Sequence, residues 1–273
     1  MPSFVQKLAD ARRKNDSLLC VGLDPDPALM AIRDVSDFNR AIIDATRDLV
    51  CAFKPNIAFY EAMGIPGLLA LENTLKAVPS HIPVIGDVKR GDIGNTATAY
   101  ARAMFETWGF DAVTVHPYMG WDSIEPFARA KDKGVFVLCR TSNTGQSDFQ
   151  GLMIQGEGGA SRPLFEEVAR RVAEWDKNAN LGLVVGATHP DELRRVREIC
   201  PIQPLLIPGV GAQGGDLVQS VRHGVDKTGG NAIINSSRQV LYASNGKDFA
   251  EAARRAAIQA RDQMREALAS RLA

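Results

Sequence analysis

Three ionisable residues occur close together within residues 84–96, at a spacing suited to chemistry. Asp87, Lys89 and Asp92 form an Asp-x-Lys-x-x-Asp pattern at the end of an apolar run. Alternate side chains of a β-strand point to opposite faces, so Asp87 and Lys89 are predicted to share the face of Ile85. Charged groups rarely end a buried strand without a task. Two carboxylates around one ammonium would hold a charged lysine next to a substrate.

A purely structural interpretation of this segment stays open. Asp87 and Lys89 could form an ion pair that only stabilises the strand end, and Asp92 could cap the helix predicted over residues 95–108. Gly91 permits a tight turn before that helix. The segment is therefore predicted to contain a strand, a turn and a helix, which together make one βα unit.

Length and composition favour one large α/β domain spanning residues 1–273. The chain has 273 residues, 45% of them hydrophobic, which suffices for one large core. Its formal net charge is zero, so no overall field attracts nucleic acid or an anionic membrane. No apolar run approaches the roughly 18 residues that span a bilayer. The four cysteines show no Cys-x-x-Cys spacing, so reduced thiols in a cytoplasmic protein are expected.

Eight short apolar runs alternate with helical patterns along the chain. The predicted strands are 18–23, 50–54, 83–89, 112–116, 134–140, 181–187, 204–208 and 231–235. The predicted helices are 1–14, 35–48, 57–77, 95–108, 121–131, 161–176, 190–199, 216–221 and 249–271. Continuous apolar strands are typical of parallel sheets covered on both faces. Eight such repeats predict a (β/α)8 TIM barrel, with an open doubly wound sheet as the alternative.

Polar residues follow most of these runs, at the barrel end where chemistry is located in this architecture. They include Asp24, Lys54, Asp87, Lys89, His116, residues 140–143, Thr188, His189, residues 209–215 and residues 236–238. The long irregular segment 141–160 is rich in Gly, Ser, Asn and Gln. It is predicted to be a lid or binding loop, with a tolerated surface insertion as the alternative.

The glycine-rich segment 208–216 follows the seventh run and suits an anion. It contains a G-x-G-x-x-G match, but no acidic residue ends the next run, which argues against a dinucleotide site. Backbone N–H groups in such a turn are predicted to bind phosphate, with a further donor from Gln213. Arg238 follows the eighth run and could add paired donors. The spacing of His, Cys, Asp and Glu indicates no metal site.

Several of these motifs together resemble the orotidine 5′-phosphate decarboxylase family, especially its longer bacterial subgroup. The resemblance covers residues 18–238. It rests on Asp87-x-Lys89-x-x-Asp92-Ile93 with Thr96, Gly22-Leu23-Asp24-Pro25, Phe53-Lys54-Pro55-Asn56, Thr141-Ser142-Asn143, the segment 208–215 and Ser237-Arg238. Each motif is weak alone, and their combination is specific.

The resemblance implies a homodimeric barrel that removes CO₂ from orotidine 5′-monophosphate to give UMP, without a cofactor. Lys89 resembles the acid that protonates C6, and Asp87 resembles the carboxylate beside the departing CO₂. Lys54 and Asp24 resemble the pair that completes the charge network and binds the ribose.

The resemblance also implies residues that bind substrate. The residues lent to the neighbouring subunit's site would be Asp92, Ile93 and Thr96. Ser142 resembles the contact to the pyrimidine amide. The phosphate-binding group would be Pro208, Gln213 and Arg238.

Two other functions stay open. A sugar-phosphate decarboxylase or aldolase of the same barrel group shares Asp-x-Lys-x-x-Asp but uses Mg²⁺, and it places an acidic metal ligand where this chain has Lys54. A lysine there would repel the cation. The second alternative is a non-catalytic phosphate-binding barrel.

Overall fold

Eight parallel strands form the central sheet of a computed structural model that describes residues 2–155, 159, 161–211 and 214–272. They are β1 (Leu19–Leu23), β2 (Ala52–Pro55), β3 (Ile85–Arg90), β4 (Ala112–Val115), β5 (Gly134–Arg140), β8 (Leu181–Val185), β9 (Leu205–Ile207) and β10 (Ala232–Ser236). Strands β6 (Met153–Gln155) and β7 (Ser161–Pro163) form a separate antiparallel pair.

The sheet runs in the order β2-β1-β10-β9-β8-β5-β4-β3. Its two outer strands meet through parallel bridges from Phe53 to Val84 and from Asn56 to Asp87. The backbone N–H of Phe53 also donates to the Pro83 carbonyl at 3.1 Å. These contacts bring the outer strands together, so the predicted (β/α)8 barrel is confirmed and the open sheet is wrong.

The helices surround the barrel. They are α1 (Phe4–Asn15), α2 (Val35–Thr46), α3 (Ile57–Glu61), α4 (Gly64–Ala77), α5 (Gly94–Arg102), α6 (Trp121–Ala128), α7 (Leu164–Trp175), α8 (Pro190–Ile199), α9 (Leu217–Gly224), α10 (Arg238–Leu241) and α11 (Phe249–Leu272). A π-helical turn at Ala103–Thr107 extends α5, and a 3₁₀ helix at Thr144–Asp148 lies in the long loop. No helix in the described part of the chain is both long and apolar enough to cross a membrane.

Two predicted helices differ from the structure. The helix predicted over 57–77 divides into α3 and α4, because Gly64 takes a φ of +65°, which is outside the helical region. The helix predicted over 161–176 begins only at Leu164, since Ser161–Pro163 pairs with Met153–Gln155. Pairing with a distant segment overrides local helical periodicity here.

The barrel interior is filled by one apolar residue from each barrel strand. These residues are Cys20, Ala52, Ile85, Ala112, Phe136, Val184, Leu206 and Ile233. Helix α1 closes the amino-terminal end of the barrel, where Phe4 and Leu8 join the same cluster and Phe4 contacts Phe136 edge to face at 5.7 Å. The opposite end, where the strands terminate, is left for the polar residues.

Candidate active site

A cavity of about 610 Å³ lies over the carboxyl ends of the barrel strands. Leu138, Val184 and Leu206 contribute apolar lining. Most of the predicted site residues also line it: Asp24, Lys54, Asp87, Lys89, Ser142, Pro208 and Arg238. The structure therefore brings together side chains from six barrel strands or the loops after them.

Asp87 lies at the centre of the charged residues in this cavity. Its Oδ2 is 3.0 Å from Lys54 Nζ, and its Oδ1 is 2.6 Å from Lys89 Nζ. The Thr114 hydroxyl donates to Oδ1 at 3.0 Å. Lys54 is only 3% exposed, whereas the Lys89 side chain is 49% exposed. The carboxylate thus joins a buried ammonium to one that faces the cavity.

An irregularity at the end of β3 directs Lys89 toward Asp87. Lys89 has a φ of +43°, and the pairing of β3 with β4 shifts register between Gly86 and Arg90. The N–H groups of Val88 and Lys89 both donate to Thr114 Oγ1, each at 3.0 Å. A β-bulge of this kind redirects a side chain at a strand end.

Thr114 is a residue of the site that was not predicted from the sequence. Its hydroxyl accepts two backbone N–H groups and donates to Asp87, so it ties the bulge to the carboxylate. The available signal was a hydroxyl residue inside the otherwise apolar segment Ala112–Val115.

Lys54 and Asp87 stabilise each other's charged forms, and the charge of Lys89 adds to the stabilisation of the Asp87 carboxylate. Burial alone would raise the pKa of Asp87, but the charges of Lys54 and Lys89 outweigh it and lower that pKa well below its usual value. Burial alone would lower the pKa of Lys54, but Asp87 and Asp24 outweigh it and raise that pKa above its usual value. Both groups are therefore charged at neutral pH.

Asp24 is positioned by residues outside the predicted set. Its Oδ1 accepts the Asn56 N–H at 3.2 Å, and its carbonyl accepts the Tyr242 hydroxyl at 2.8 Å. The Tyr242 hydroxyl in turn accepts the Asp26 N–H at 2.7 Å. Asn56 and Tyr242 also line the cavity, and no local motif in the sequence marks Tyr242.

Asp92, Ile93 and Thr96 do not line the cavity of their own chain. Asp92 Oδ1 accepts the N–H of Ile93, and Ile93 is 52% exposed. Helix α5 begins at Gly94 without a side-chain cap, so the alternative interpretation of Asp92 as the cap of this helix is wrong. Gly94 has a φ of +54°, which separates Asp92 from the helical turn. Among the described residues, no ion pair joins Lys89 to Asp92.

The glycine-rich loop and Arg238 form the other side of the cavity, together with Pro208. Gly209 and Gly211 have φ values of +92° and +70°, a conformation that favours glycine. The N–H of Gly211 donates to the Gly215 carbonyl at 3.0 Å, and the Gly215 N–H donates to Gly209 at 3.1 Å. These two donors are used within the loop, contrary to the prediction of free N–H groups. Gln213 lies outside the described residues.

Comparison with known proteins agrees with this geometry. Residues 17–255 match the model of the orotidine 5′-phosphate decarboxylase / HUMPS family. The chain belongs to this family.

Among its relatives, the orotidine 5′-phosphate decarboxylase of Herpetosiphon aurantiacus is 52% identical over 261 residues, covering 93% of this chain and 95% of that protein. The enzyme of the same name from Ralstonia pickettii is 51% identical over 271 residues, covering 96% and 98%. The structure of Leishmania donovani OMP decarboxylase matches with a TM-score of 0.87 and 41% identity, covering 97% of this chain and 99% of that chain.

Proposed function

We propose that this chain is an orotidine 5′-phosphate decarboxylase, which converts orotidine 5′-monophosphate to UMP and CO₂ in pyrimidine nucleotide synthesis. The observation that carries the proposal is the Lys54–Asp87–Lys89 array at the cavity, with ion-pair distances of 3.0 and 2.6 Å. The test is the loss of substrate absorbance when purified protein is mixed with orotidine 5′-monophosphate. An inactive, correctly folded protein would contradict the proposal.

The proposed reaction requires the protein to stabilise the transition state mainly by electrostatic interactions. When the bond from C6 to CO₂ breaks, its electron pair stays on C6 in an orbital that the ring does not delocalise. Enzymes reach accelerations of about 10¹⁷, equivalent to roughly 23 kcal/mol. Two carboxylates about 4 Å apart repel by only about 4 kcal/mol at an effective dielectric constant near 20. Repulsion between Asp87 and the substrate carboxylate therefore cannot supply most of the acceleration.

Lys89 is the group that stabilises the developing charge in this proposal. Its ammonium is directed into the cavity by the bulge and is bound to Asp87 at 2.6 Å. As CO₂ leaves, Nζ gives a proton to C6, and the neutral amine later regains one from water. Preorganised charge near the reacting atom is the largest catalytic effect in many enzymes. Lys89→Ala is expected to abolish turnover and leave the fold intact.

The remaining cavity residues are proposed to bind the rest of the nucleotide. Ser142 contacts the pyrimidine amide, Asp24 binds the ribose, and Arg238 binds the phosphate with the Pro208 loop and Gln213. The positions in the fold support this division, because the charged array and the glycine-rich loop belong to different strands around the same cavity. Phosphate contacts remote from C6 can contribute binding energy to the reaction.

A homodimer with shared active sites completes the proposal. Asp92, Ile93 and Thr96 lie outside their own cavity and are proposed to enter that of the partner. Large apolar side chains are exposed nearby, on the segments after β3 and β4: Ile93 is 52% exposed, Tyr118 87% and Met119 41%. Exposed apolar patches commonly mark interfaces. A second copy of the chain would cover these side chains.

Complementation tests the sharing of sites. Lys89→Ala and Asp92→Ala protein, each inactive, should regain activity when mixed, because one mixed dimer site contains both Lys89 and Asp92. Mass spectrometry of the mixture verifies subunit exchange. No recovery after verified exchange would contradict sharing between subunits.

The family name still allows one competing function, that of a Mg²⁺-dependent sugar-phosphate enzyme. Lys54 is buried beside Asp87 at the end of β2, where it would repel a cation. The described part of the chain contains no group of three His, Cys, Asp or Glu side chains that could hold a metal ion. Activity on orotidine 5′-monophosphate that survives a chelator would support the decarboxylase.

The same proposal includes a cytoplasmic location and no nucleic-acid partner. Cys20, Cys51, Cys139 and Cys200 are all free and buried, which suits a reducing compartment. Burial raises the pKa of Cys51 to about 12, so this thiol stays protonated. The zero net charge supports the absence of a nucleic-acid partner.

A further inference from the structure

A polar network outside the charged array anchors the loop that carries Ser142. Arg140 ends strand β5 and is buried, and its Nε and Nη2 donate to both carboxylate oxygens of Glu192 at 2.5 and 2.9 Å. Its guanidinium carbon lies 5.6 Å from the centre of the Phe165 ring. Glu192 belongs to the first turn of α8, where a carboxylate is favoured by the helix dipole. Arg140 is therefore fixed in position and orientation.

The residues directly after Arg140 line the cavity. These are Thr141, Ser142 and Asn143. Their backbone lies against Gly186 at the end of β8, where an added Cβ would come within 2.9 Å of the Ser142 N. The Gly186 N–H donates to the Arg140 carbonyl at 2.7 Å. The backbone position of Arg140 beside Gly186 therefore constrains where Ser142 lies.

Two glutamines hold the far side of the same loop. Gln150 accepts the Thr141 N–H at 2.8 Å, and its Nε2 donates to Thr141 Oγ1 at 2.8 Å. Gln146 Nε2 lies 3.4 Å from His189 Nε2, and His189 Nδ1 lies 3.9 Å from Glu192. The neighbouring loop residues Asn143, Thr144, Gly145, Ser147, Asp148 and Phe149 are exposed. This network therefore provides side-chain contacts that hold the part of the loop next to the cavity.

We propose that Arg140 and Glu192 are positioning residues for recognition of the substrate's base, acting with His189 through the Thr141–Ser142–Asn143 segment. The proposal rests on the proposed function, since it takes Ser142 as the contact to the base. Neither Arg140 nor Glu192 lines the cavity, so both act through the loop and do not touch the nucleotide. Their removal should weaken recognition of the base and spare the phosphate and ribose, which bind at other strands.

The test compares two ligands that share ribose phosphate and differ in the base. Calorimetry gives the dissociation constants of UMP and of ribose 5-phosphate for wild type, Arg140→Met, Arg140→Lys and Glu192→Gln. A misplacement of about 1 Å can lower the rate of an enzyme by about 100-fold, which shows how strongly function depends on positioning. Arg140→Met and Glu192→Gln should weaken UMP at least about tenfold and leave ribose 5-phosphate within about twofold. Arg140→Lys, which keeps the charge, should recover part of the UMP affinity.

Asp48→Asn is the matched control. Asp48 also forms a two-bond pair with Arg254, at 2.6 and 2.8 Å; this pair is more exposed, and neither residue lines the cavity. Its removal should leave the ratio of the two dissociation constants unchanged. Circular dichroism confirms that each variant is folded. If Arg140→Met does not fold, the test is made with Glu192→Gln, which keeps the shape of the side chain.

The outcomes separate the inference from the function. Equal weakening of both ligands, or unchanged UMP binding in folded Arg140→Met and Glu192→Gln, would overturn the positioning role while wild type still binds UMP. Wild-type protein that neither binds UMP nor consumes orotidine 5′-monophosphate would overturn the proposed function, and the inference with it.

Discussion

Replacing Lys54 by methionine tests whether burial sets the strength of the charged array. The change keeps an unbranched chain of similar length and removes the ammonium 3.0 Å from Asp87 Oδ2. At this distance two unit charges attract by about 5.5 kcal/mol for an effective dielectric constant near 20. Removing one partner of a buried pair costs about 3–5 kcal/mol, because the other charge stays buried. We expect Lys54→Met to lower the free energy of unfolding at pH 7 by that amount.

The control is an ion pair that is shorter but exposed. Lys76 Nζ lies 2.5 Å from Glu72, yet the two side chains are 68% and 51% exposed. Exposed pairs contribute about 1 kcal/mol or less, so Lys76→Met should change stability by no more than that. If distance alone governed the energy, the control would be the more damaging variant.

Urea unfolding followed by circular dichroism measures these free energies. In the double variant Lys54→Met with Asp87→Asn, no unpaired charge stays buried, so the loss should be clearly smaller than the sum of the single losses. A Lys54→Met protein no less stable than Lys76→Met would refute the reasoning. An additive double variant would also refute it, because the two side chains would then not be coupled.

Three further predictions follow from the same geometry. The pKa of Asp87 is lowered, so the stability that its charge gives the folded protein is present above the ordinary pKa of about 3.9 and is lost as the pH falls below it. The pKa of Lys54 is raised, so the stability that its charge gives is present below the ordinary pKa of about 10.4 and is lost at higher pH. Between about pH 5 and 9 the pair should therefore contribute fully, and its contribution to the urea midpoint should not vary with pH. A pH-dependent change in that range that disappears in Lys54→Met would contradict this. Gly91→Ala places a Cβ 2.1 Å from His116 Nε2, so it should cost about 1–3 kcal/mol in unfolding, with a smaller loss in a His116→Ala background. Arg238→Ala should weaken UMP at least about tenfold and leave uridine unchanged, as measured by calorimetry, and equal losses would argue against phosphate binding.

Much of the architecture followed from local patterns. Continuous apolar runs such as 134–140 and 181–187 indicated parallel strands, and both lie at the predicted places as Gly134–Arg140 and Leu181–Val185. These runs are informative because a parallel strand is buried on both faces, which leaves little freedom in residue type. Boundaries were less well predicted, since the division at Gly64 depends on a single backbone angle.

The charged residues of the cavity could also be predicted from the sequence. Asp87, Lys89 and Lys54 end predicted strands, and barrel geometry brings strand ends together. Asp92 lies after the turn, as predicted, but the alternative interpretation of it as a helix cap is wrong, because an aspartate before a helix has the same sequence signature whether or not it caps that helix.

Residue types at regular spacing were enough to predict eight parallel βα repeats and the identity of the charged residues. Closure of the sheet into a barrel was established by the bridges between the outer strands. The contacts between particular atoms came from the three-dimensional packing. The bulge that directs Lys89, the Thr114 hydroxyl beneath Asp87 and the Arg140–Glu192 pair 52 residues apart all arise from packing between distant segments. Contacts of this kind depend on backbone direction and side-chain reach in three dimensions, which no local pattern of residues encodes.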